Sequence, residues 1–250
     1  MRWRGLVLSL TFLALPFACR AQAPDESKGS PETEIQRPPE TVSGFSIPEG
    51  LPSDLEKIEA PIGIEALVVA RIVDGDTLEE EGGTRYRLIG IDTPEDGEDG
   101  DFEAAERLRR LIQGKKVQIE VGKTALDDYD RTLAYVWMED PSGRPVMVNQ
   151  ILVREGFASY FPFRDNPKHL DELWREQEKA RKGALRVWTL PVNPEPSGRY
   201  VASTGKGAEL RFHRPECGSA KQVTDRNRKV YSTRDEALAD KRSPCRKCKP

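Results

Sequence analysis

No excess of positive charge runs through these 250 residues: 39 Lys and Arg stand against 42 Asp and Glu, a formal net charge of −3. The chain as a whole therefore lacks the broad basic footprint typical of proteins that hold phosphate polymers, and its charge has to be read by segment. Apolar residues are sparse at 37%, whereas 32% are charged and 19 are Pro, so part of the chain is expected to lie outside any packed core. The N-terminal apolar run, Leu6 to Phe17, is too short to anchor the chain across a bilayer. Cysteine is scarce as well. Of four, Cys217, Cys245 and Cys248 lie near the C-terminal end, and three thiols cannot all pair within one exported chain.

What is present falls into segments. Arg2 and Arg4, the apolar run and the small-x-small site Ala21-Gln22-Ala23 read as an export signal over residues 1–23, which implies a secreted or periplasmic protein. The rival reading is a membrane lipid anchor at Cys19 after cleavage behind Ala18, and Pro16 and Phe17 fit a lipoprotein box poorly. Residues 24–60 are rich in Pro, Glu, Ser and Gly and read as a disordered, solvated linker, in which Leu51 to Ile58 offers one short helix with Ser53 as its cap. A folded domain over 61–190 follows, then a Pro-rich linker over 191–198 and a small module over 199–250.

The folded domain is organised around Val69 to Glu95. Asp74-Gly75-Asp76-Thr77 marks a tight bend, and Gly82-Gly83 is a two-residue hairpin signal between strand-like segments. Arg87 sits on an otherwise apolar strand face and should need an anionic partner, and Pro94 ends that strand. If the strands pair, Asp76 and Asp92 converge with Glu95 just beyond, a group of oxygens suited to a hard cation such as Ca²⁺. A nearby Arg suits a bound phosphate. Further on, Asp101 could cap a helix closed by Gly114, Lys116 to Val121 and Arg131 to Met138 read as strands, Asn149 looks like the cap of a short helix, and a third helix is expected over 166–182.

D-G-D-T at 74–77 followed by R-x4-D-T-P-E at 87–95 resembles the thermonuclease (staphylococcal-nuclease-like) family. Asp127 to Tyr135 looks like the family's D-x-Y-x-R-x-L-A-Y segment, and Val146 to Gly156 and Ala180 to Trp188 resemble its following helices, so the match covers roughly 66–188. The resemblance implies an α+β fold: a five-stranded OB-fold-like barrel with about three helices. It also implies catalysis by Arg87, Glu95 and Arg131, calcium held by Asp76, Asp92 and Thr93, and cleavage of DNA or RNA to leave 3′-phosphate ends. No stable protein partner is implied, and a monomer is expected. The residues allow the same chemistry on general grounds, because a phosphodiester needs charge neutralisation, an activated water and stabilised oxygens. Asp127, Tyr129 and Tyr160 are candidate substrate contacts, with a turn cap the alternative for Asp127 and core packing for Tyr160. Two departures from the family prototype put repulsion beside the site: a short acidic loop, Asp96 to Asp101, and Asp128 in place of a Lys.

The module carries the opposite charge. From Arg199 to Pro250 there are 14 Lys and Arg against 6 Asp and Glu, a net of +8, which could supply the missing basic footprint. His213-x3-Cys217 and Cys245-x2-Cys248 give four ligands in two short-spaced pairs, suited to tetrahedral Zn²⁺. A disulfide with one free thiol is the alternative. Thr233 to Glu236 reads as a capping box. The segment resembles the small metal-binding module of the Ada DNA-repair protein, with His213 in place of one Cys. The competing functional readings are a barrel that binds nucleic acid without cutting it and a cell-envelope binding protein.

Overall fold

The computed structural model describes residues 45–163, 165–190, 192, 197–205 and 210–250. The export signal, Cys19, residues 24–44 and most of the 191–198 linker lie outside the described residues.

Chain order gives β1 (Glu65–Ile72), β2 (Thr77–Glu80), β3 (Arg85–Leu88), β4 (Ile91–Asp92), α1 (Asp101–Ile112), β5 (Lys116–Leu126), β6 (Thr132–Glu139), β7 (Pro145–Met147), α2 (Val148–Arg154), β8 (Ser159–Tyr160) and α3 (Leu170–Lys182). After them come β9 (Tyr200–Ser203), β10 (Arg211–His213), α4 (Gly218–Lys221), β11 (Arg228–Tyr231), α5 (Arg234–Ala239) and β12 (Ser243–Pro244). β1 pairs antiparallel with β2 and β5, β2 with β3, and β5 with β6. β3 then pairs parallel with β6, Arg87 opposite Leu133, and the five strands close into a mixed barrel. This is the expected OB-like barrel with three helices, and closure leaves its strands no free edge.

The interior follows from the side-chain pattern. Leu67 and Val69 of β1 point inward, a bulge between Val69 and Arg71 shifts the phase, and Ile72 becomes the next buried residue. β6 buries Leu133 through Trp137 without alternation because α2 covers the face turned away from the barrel. α1 buries Ala104, Leu108, Leu111 and Ile112 on one stripe.

Several local expectations change. Gly100, at φ 93°, occupies the N-cap of α1, and Asp101 is the first helical residue, its carboxylate accepting the Gly97 N–H at 2.6 Å. Asn149 is no cap. It is fully buried inside α2, where its amide donates to the Ile89 carbonyl at 2.9 Å and its oxygen accepts the Val136 N–H at 3.0 Å. It thereby satisfies backbone groups where β3 runs out of ladder partners. The third helix begins at Leu170, not 166, because Asn166 exchanges hydrogen bonds with the Thr124 backbone. Residues 45–60 are not a solvated linker, and Leu51 to Ile58 is not helical: Ile47, Leu51, Leu55 and Ile58 pack against the barrel core. The buried Arg107 fastens this segment, donating to the Pro48 and Gly50 carbonyls while its guanidinium pairs with Glu155 at 2.7 Å.

The module forms a four-stranded sheet in the order β11-β9-β10-β12. Its core is small: Tyr200, Ala202, Phe212, Tyr231, Ala237 and Leu238, with Trp188 against them. Thr233 caps α5, accepting the Glu236 N–H at 3.1 Å, while the Glu236 carboxylate reaches back to the Ser232 N–H rather than to that of Thr233. The module docks on α3, where the Trp174 indole donates to the Leu238 carbonyl at 3.2 Å and Lys241 pairs with Asp171. No helix among the described residues is long and apolar enough to cross a membrane.

Candidate active site

β3 carries Arg87 into the interior at 5% exposure, and the backbone satisfies part of its fork. Nη2 donates to the Ile91 carbonyl at 2.9 Å and Nη1 to that of Leu88. Nη2 also lies 2.9 Å from Asp76 Oδ2 and 3.5 Å from Asp92 Oδ1, so one guanidinium joins the two aspartates. A buried Arg without such partners would be costly, and two carboxylates this close need a cation between them. Asp76 is fixed in turn: its Oδ2 accepts from the Thr93 N–H at 3.3 Å and the Thr93 hydroxyl at 3.2 Å, and its own N–H donates to Asp74 at 2.9 Å. Gly75 permits this approach, since a Cβ there would meet the Thr93 hydroxyl at 2.7 Å and Ala104 at 2.8 Å. β8 holds Asp92, pairing it with Ser159.

Glu95 lies at the mouth of this cluster, its side chain 55% exposed. Partial burial and the negative charge of Asp76, Glu98 and Asp74 push its carboxyl above the usual range, against the pull of Arg87. Burial and Asp76 raise Asp74 likewise. Arg131 stands on the other side. Its Nη1 donates to the Thr77 hydroxyl at 3.2 Å, and Thr77 donates to Asp76 Oδ1 at 3.3 Å, so one buried hydroxyl connects the second arginine to the acids.

Asp92 Oδ1 is buried and receives no aligned hydrogen bond although cationic nitrogens are near it. Such an oxygen is held by charge rather than direction, as a spherical cation would hold it. Two carboxylates with the Thr93 backbone beside them form a hard, all-oxygen donor set of the kind that suits Ca²⁺.

Residues 85–190 match the model of the family described as staphylococcal nuclease homologue. The thermonuclease of Staphylococcus hyicus is 34% identical over 130 residues, covering 48% of this chain and 74% of that protein. The micrococcal nuclease of Shigella flexneri is 32% identical over 135 residues, 51% of this chain and 76% of its own length. Endonuclease YncB of Bacillus subtilis is 30% identical over 136 residues, 48% and 59% respectively. The chain belongs to the staphylococcal nuclease family. Its barrel is a nuclease domain.

Within this nuclease, the structure brings together Asp76, Arg87, Asp92, Thr93, Glu95 and Arg131. Two expected substrate contacts are engaged otherwise. Tyr160 is 2% exposed in the core, its N–H donating to Gln177 at 2.7 Å, so its ring has no face to offer a base. Asp127 is spent on Arg131: Oδ2 pairs with the guanidinium at 2.8 Å, and Oδ1 accepts the Tyr129 and Arg131 N–H groups at 2.9 and 3.0 Å. Burial pushes its carboxyl up, but these bonds prevail and hold it below the usual range. An acid committed in this way aims the arginine and would repel a phosphate. Tyr129 remains 80% exposed, its ring 5.4 Å from the Arg131 guanidinium.

Outside the matched residues, His213, Cys217, Cys245 and Cys248 converge with their ligand atoms within 4.8 Å of one another. Cys217 Sγ is 3.7 Å from His213 Nδ1, near the edge length of roughly 3.5–3.8 Å that zinc–sulfur and zinc–nitrogen bonds give a tetrahedron. The Arg214 N–H points to Cys248 Sγ at 3.4 Å, and the three described cysteines are free thiols. Burial and the neighbouring sulfurs push Cys248 up to about 12, whereas the burial of Cys217 is outweighed by hydrogen bonds to its sulfur, which hold that thiol below its usual range.

Sequence reasoning missed two residues at the acid site. Thr77 stood in plain view as the last letter of D-G-D-T, although its hydroxyl's bridging position depends on how β6 closes on β3. Arg246 gave no signal. It lies between two cysteines of the module, yet its Nε donates to Asp92 Oδ2 at 2.7 Å and its Nη1 pairs with Glu95.

Proposed function

We propose that this nuclease is exported, depends on calcium, and hydrolyses phosphodiester bonds of DNA, and of RNA, to leave 3′-phosphate ends. The observation carrying this reading is one buried guanidinium, Arg87, between Asp76 and Asp92, with Glu95 at the mouth and Arg131 reaching the same acids through Thr77. Calcium at Asp76, Asp92 and the Thr93 carbonyl would supply neutralising charge for the scissile phosphate. Glu95 takes the proton from the attacking water, and its raised carboxyl is a stronger base than an ordinary glutamate. Arg87 and Arg131 bind the phosphate oxygens and stabilise the charge that develops on them, each held in advance by Asp76 or Asp127. Export is supported by the signal-like residues 1–23, and the protein works as a monomer. Zinc in the His213, Cys217, Cys245 and Cys248 cluster organises the basic module, which adds contacts to the substrate.

The test is digestion of single- and double-stranded DNA with Ca²⁺ or EGTA, beside Glu95→Gln, with the product ends labelled before and after phosphatase. Calcium-dependent cutting that collapses in the variant is expected. DNA retained in a gel shift but uncut under any metal would make the barrel a binding protein and end the catalytic assignment.

A further inference from the structure

Arg246 occupies a position unlike that of any other arginine in the module. Its fork closes on both oxygens of Asp92, Nε to Oδ2 at 2.7 Å and Nη2 to Oδ1, while Nη1 pairs with Glu95. Asp92 is 154 residues from this arginine in sequence and, in the reading above, a metal ligand. The contact is presented rigidly. Arg246 follows Cys245, itself 4% exposed, whose N–H donates to the Phe212 carbonyl at 3.0 Å, and the Lys249 N–H closes the turn on the Cys245 carbonyl at 2.9 Å. The Cys/His cluster lies beneath the same turn, so whatever orders the cluster also aims the guanidinium.

A second contact continues the first. Lys249 Nζ lies 2.6 Å from Glu98 Oε1, and Glu98 belongs to the acidic loop after Glu95. That loop looked like a source of repulsion toward a nucleic acid. It is complementary to the module instead, and a 350 Å³ cleft lined by Asp92, Glu95, Glu98, Arg234, Arg246 and Lys249 runs between the two.

We propose that Arg246 is a built-in cation that sits on the carboxylates of the nuclease site and must be displaced by the divalent ion, so that the Cys/His module sets the metal affinity of the barrel. The inference rests on the reading of Asp76 and Asp92 as the calcium site. Calcium needs its oxygens at about 2.3–2.6 Å around a single centre. A guanidinium hydrogen-bonded to Asp92 Oδ2 and ion-paired with Oδ1 and Glu95 blocks that approach, and the like charges repel. The two states exclude one another, and the apparent affinity for calcium falls by the fraction of molecules in which Arg246 is seated.

Calorimetric titration of the whole chain with CaCl₂, without nucleic acid, tests this for wild type, Arg246→Gln and Arg246→Lys. The expected result is calcium binding about tenfold tighter in the Gln variant, the scale of one pair of charge-assisted hydrogen bonds, with the Lys variant between. Equal or weaker binding in the Gln variant, with wild type binding normally, overturns the proposal and leaves the nuclease reading intact. No calcium binding by any of the three removes the metal site itself and the proposal with it. A second measurement needs no variant: phenylglyoxal labelling of Arg246, followed by peptide mass spectrometry, should accelerate when calcium is added to wild type. An unchanged labelling rate would also overturn it.

Discussion

The barrel site and the Cys/His cluster both gather ligands for a cation, but they depend on different supports. Around the acids, 29 buried apolar residues among those described form one continuous core. Arg87, Thr77 and Thr93 hold the carboxylates through hydrogen bonds that the fold makes by itself. Among the described residues, six buried side chains form the module's core cluster, and its four candidate ligands come from two ends of the segment. A core that small contributes little surplus over chain entropy, so on the proposed reading a metal would hold the module together, whereas the barrel would need one only for its chemistry.

Withdrawing the metal from the module should therefore produce the largest effect. Structural zinc contributes on the order of 10 kcal/mol. A strong zinc chelator, or Cys245→Ser, should expose residues 199–250 to protease and hydrogen exchange while residues 65–182 keep their protection. Equal loss in both regions would erase the distinction. Next comes Glu95→Gln, expected to lower kcat by roughly 10²–10⁴-fold with an unchanged unfolding midpoint, because its side chain contributes chemistry and little packing. A matching loss of stability would mean that Glu95 is structural.

Arg107→Met probes the barrel's self-sufficiency directly. It strands Glu155 as a buried charge and releases Pro48 and Gly50, at a cost of about 3–5 kcal/mol in urea unfolding at neutral pH. Burial holds the Glu155 carboxyl above its usual range, against the pull of Arg107. An acid with a raised folded pKa binds its proton more tightly folded than unfolded, so it destabilises as pH rises through that range. Losing Arg107 raises it further, and the cost of the mutation should shrink as pH falls and Glu155 takes up a proton. A pH-independent cost would show that the lost carbonyl contacts dominate. Smallest of the four, Asp127→Asn should lower kcat/KM about tenfold by leaving Arg131 less well aimed, with little change in stability. An increase in affinity for DNA without that loss would show that Asp127 acts on substrate by repulsion alone.

Much of the barrel was legible because its signals are local. The hairpin at Gly82-Gly83 (closed by Glu80 and Thr84 around three residues where two were expected), the helical stripe of α1 and the R-x4-D-T-P-E segment each lie within a few turns of chain, and the steric rules behind them act at that range. Asn149 and the start of α3 were misread for the opposite reason. Asn149 resembles a cap by residue type, but the backbone groups it satisfies belong to Ile89 and Val136, which only barrel closure brings to it. The 45–60 segment has a linker's composition, and its order comes in part from Arg107, 59 residues beyond Pro48 and itself paired with Glu155.

The sequence by itself determined the family and singled out the candidate acids and arginines of the site and the two Cys/His pairs of the module, because residue type and short spacing carry that information. Only the tertiary structure decided which groups meet. It assigned Asp127 to Arg131, buried Tyr160, inserted Thr77 between Arg131 and Asp76, and laid Arg246 across Asp92. Apart from the Asp127–Arg131 pair, four residues apart, these are long-range contacts whose partners are chosen by packing and by the need of buried charges to find one another.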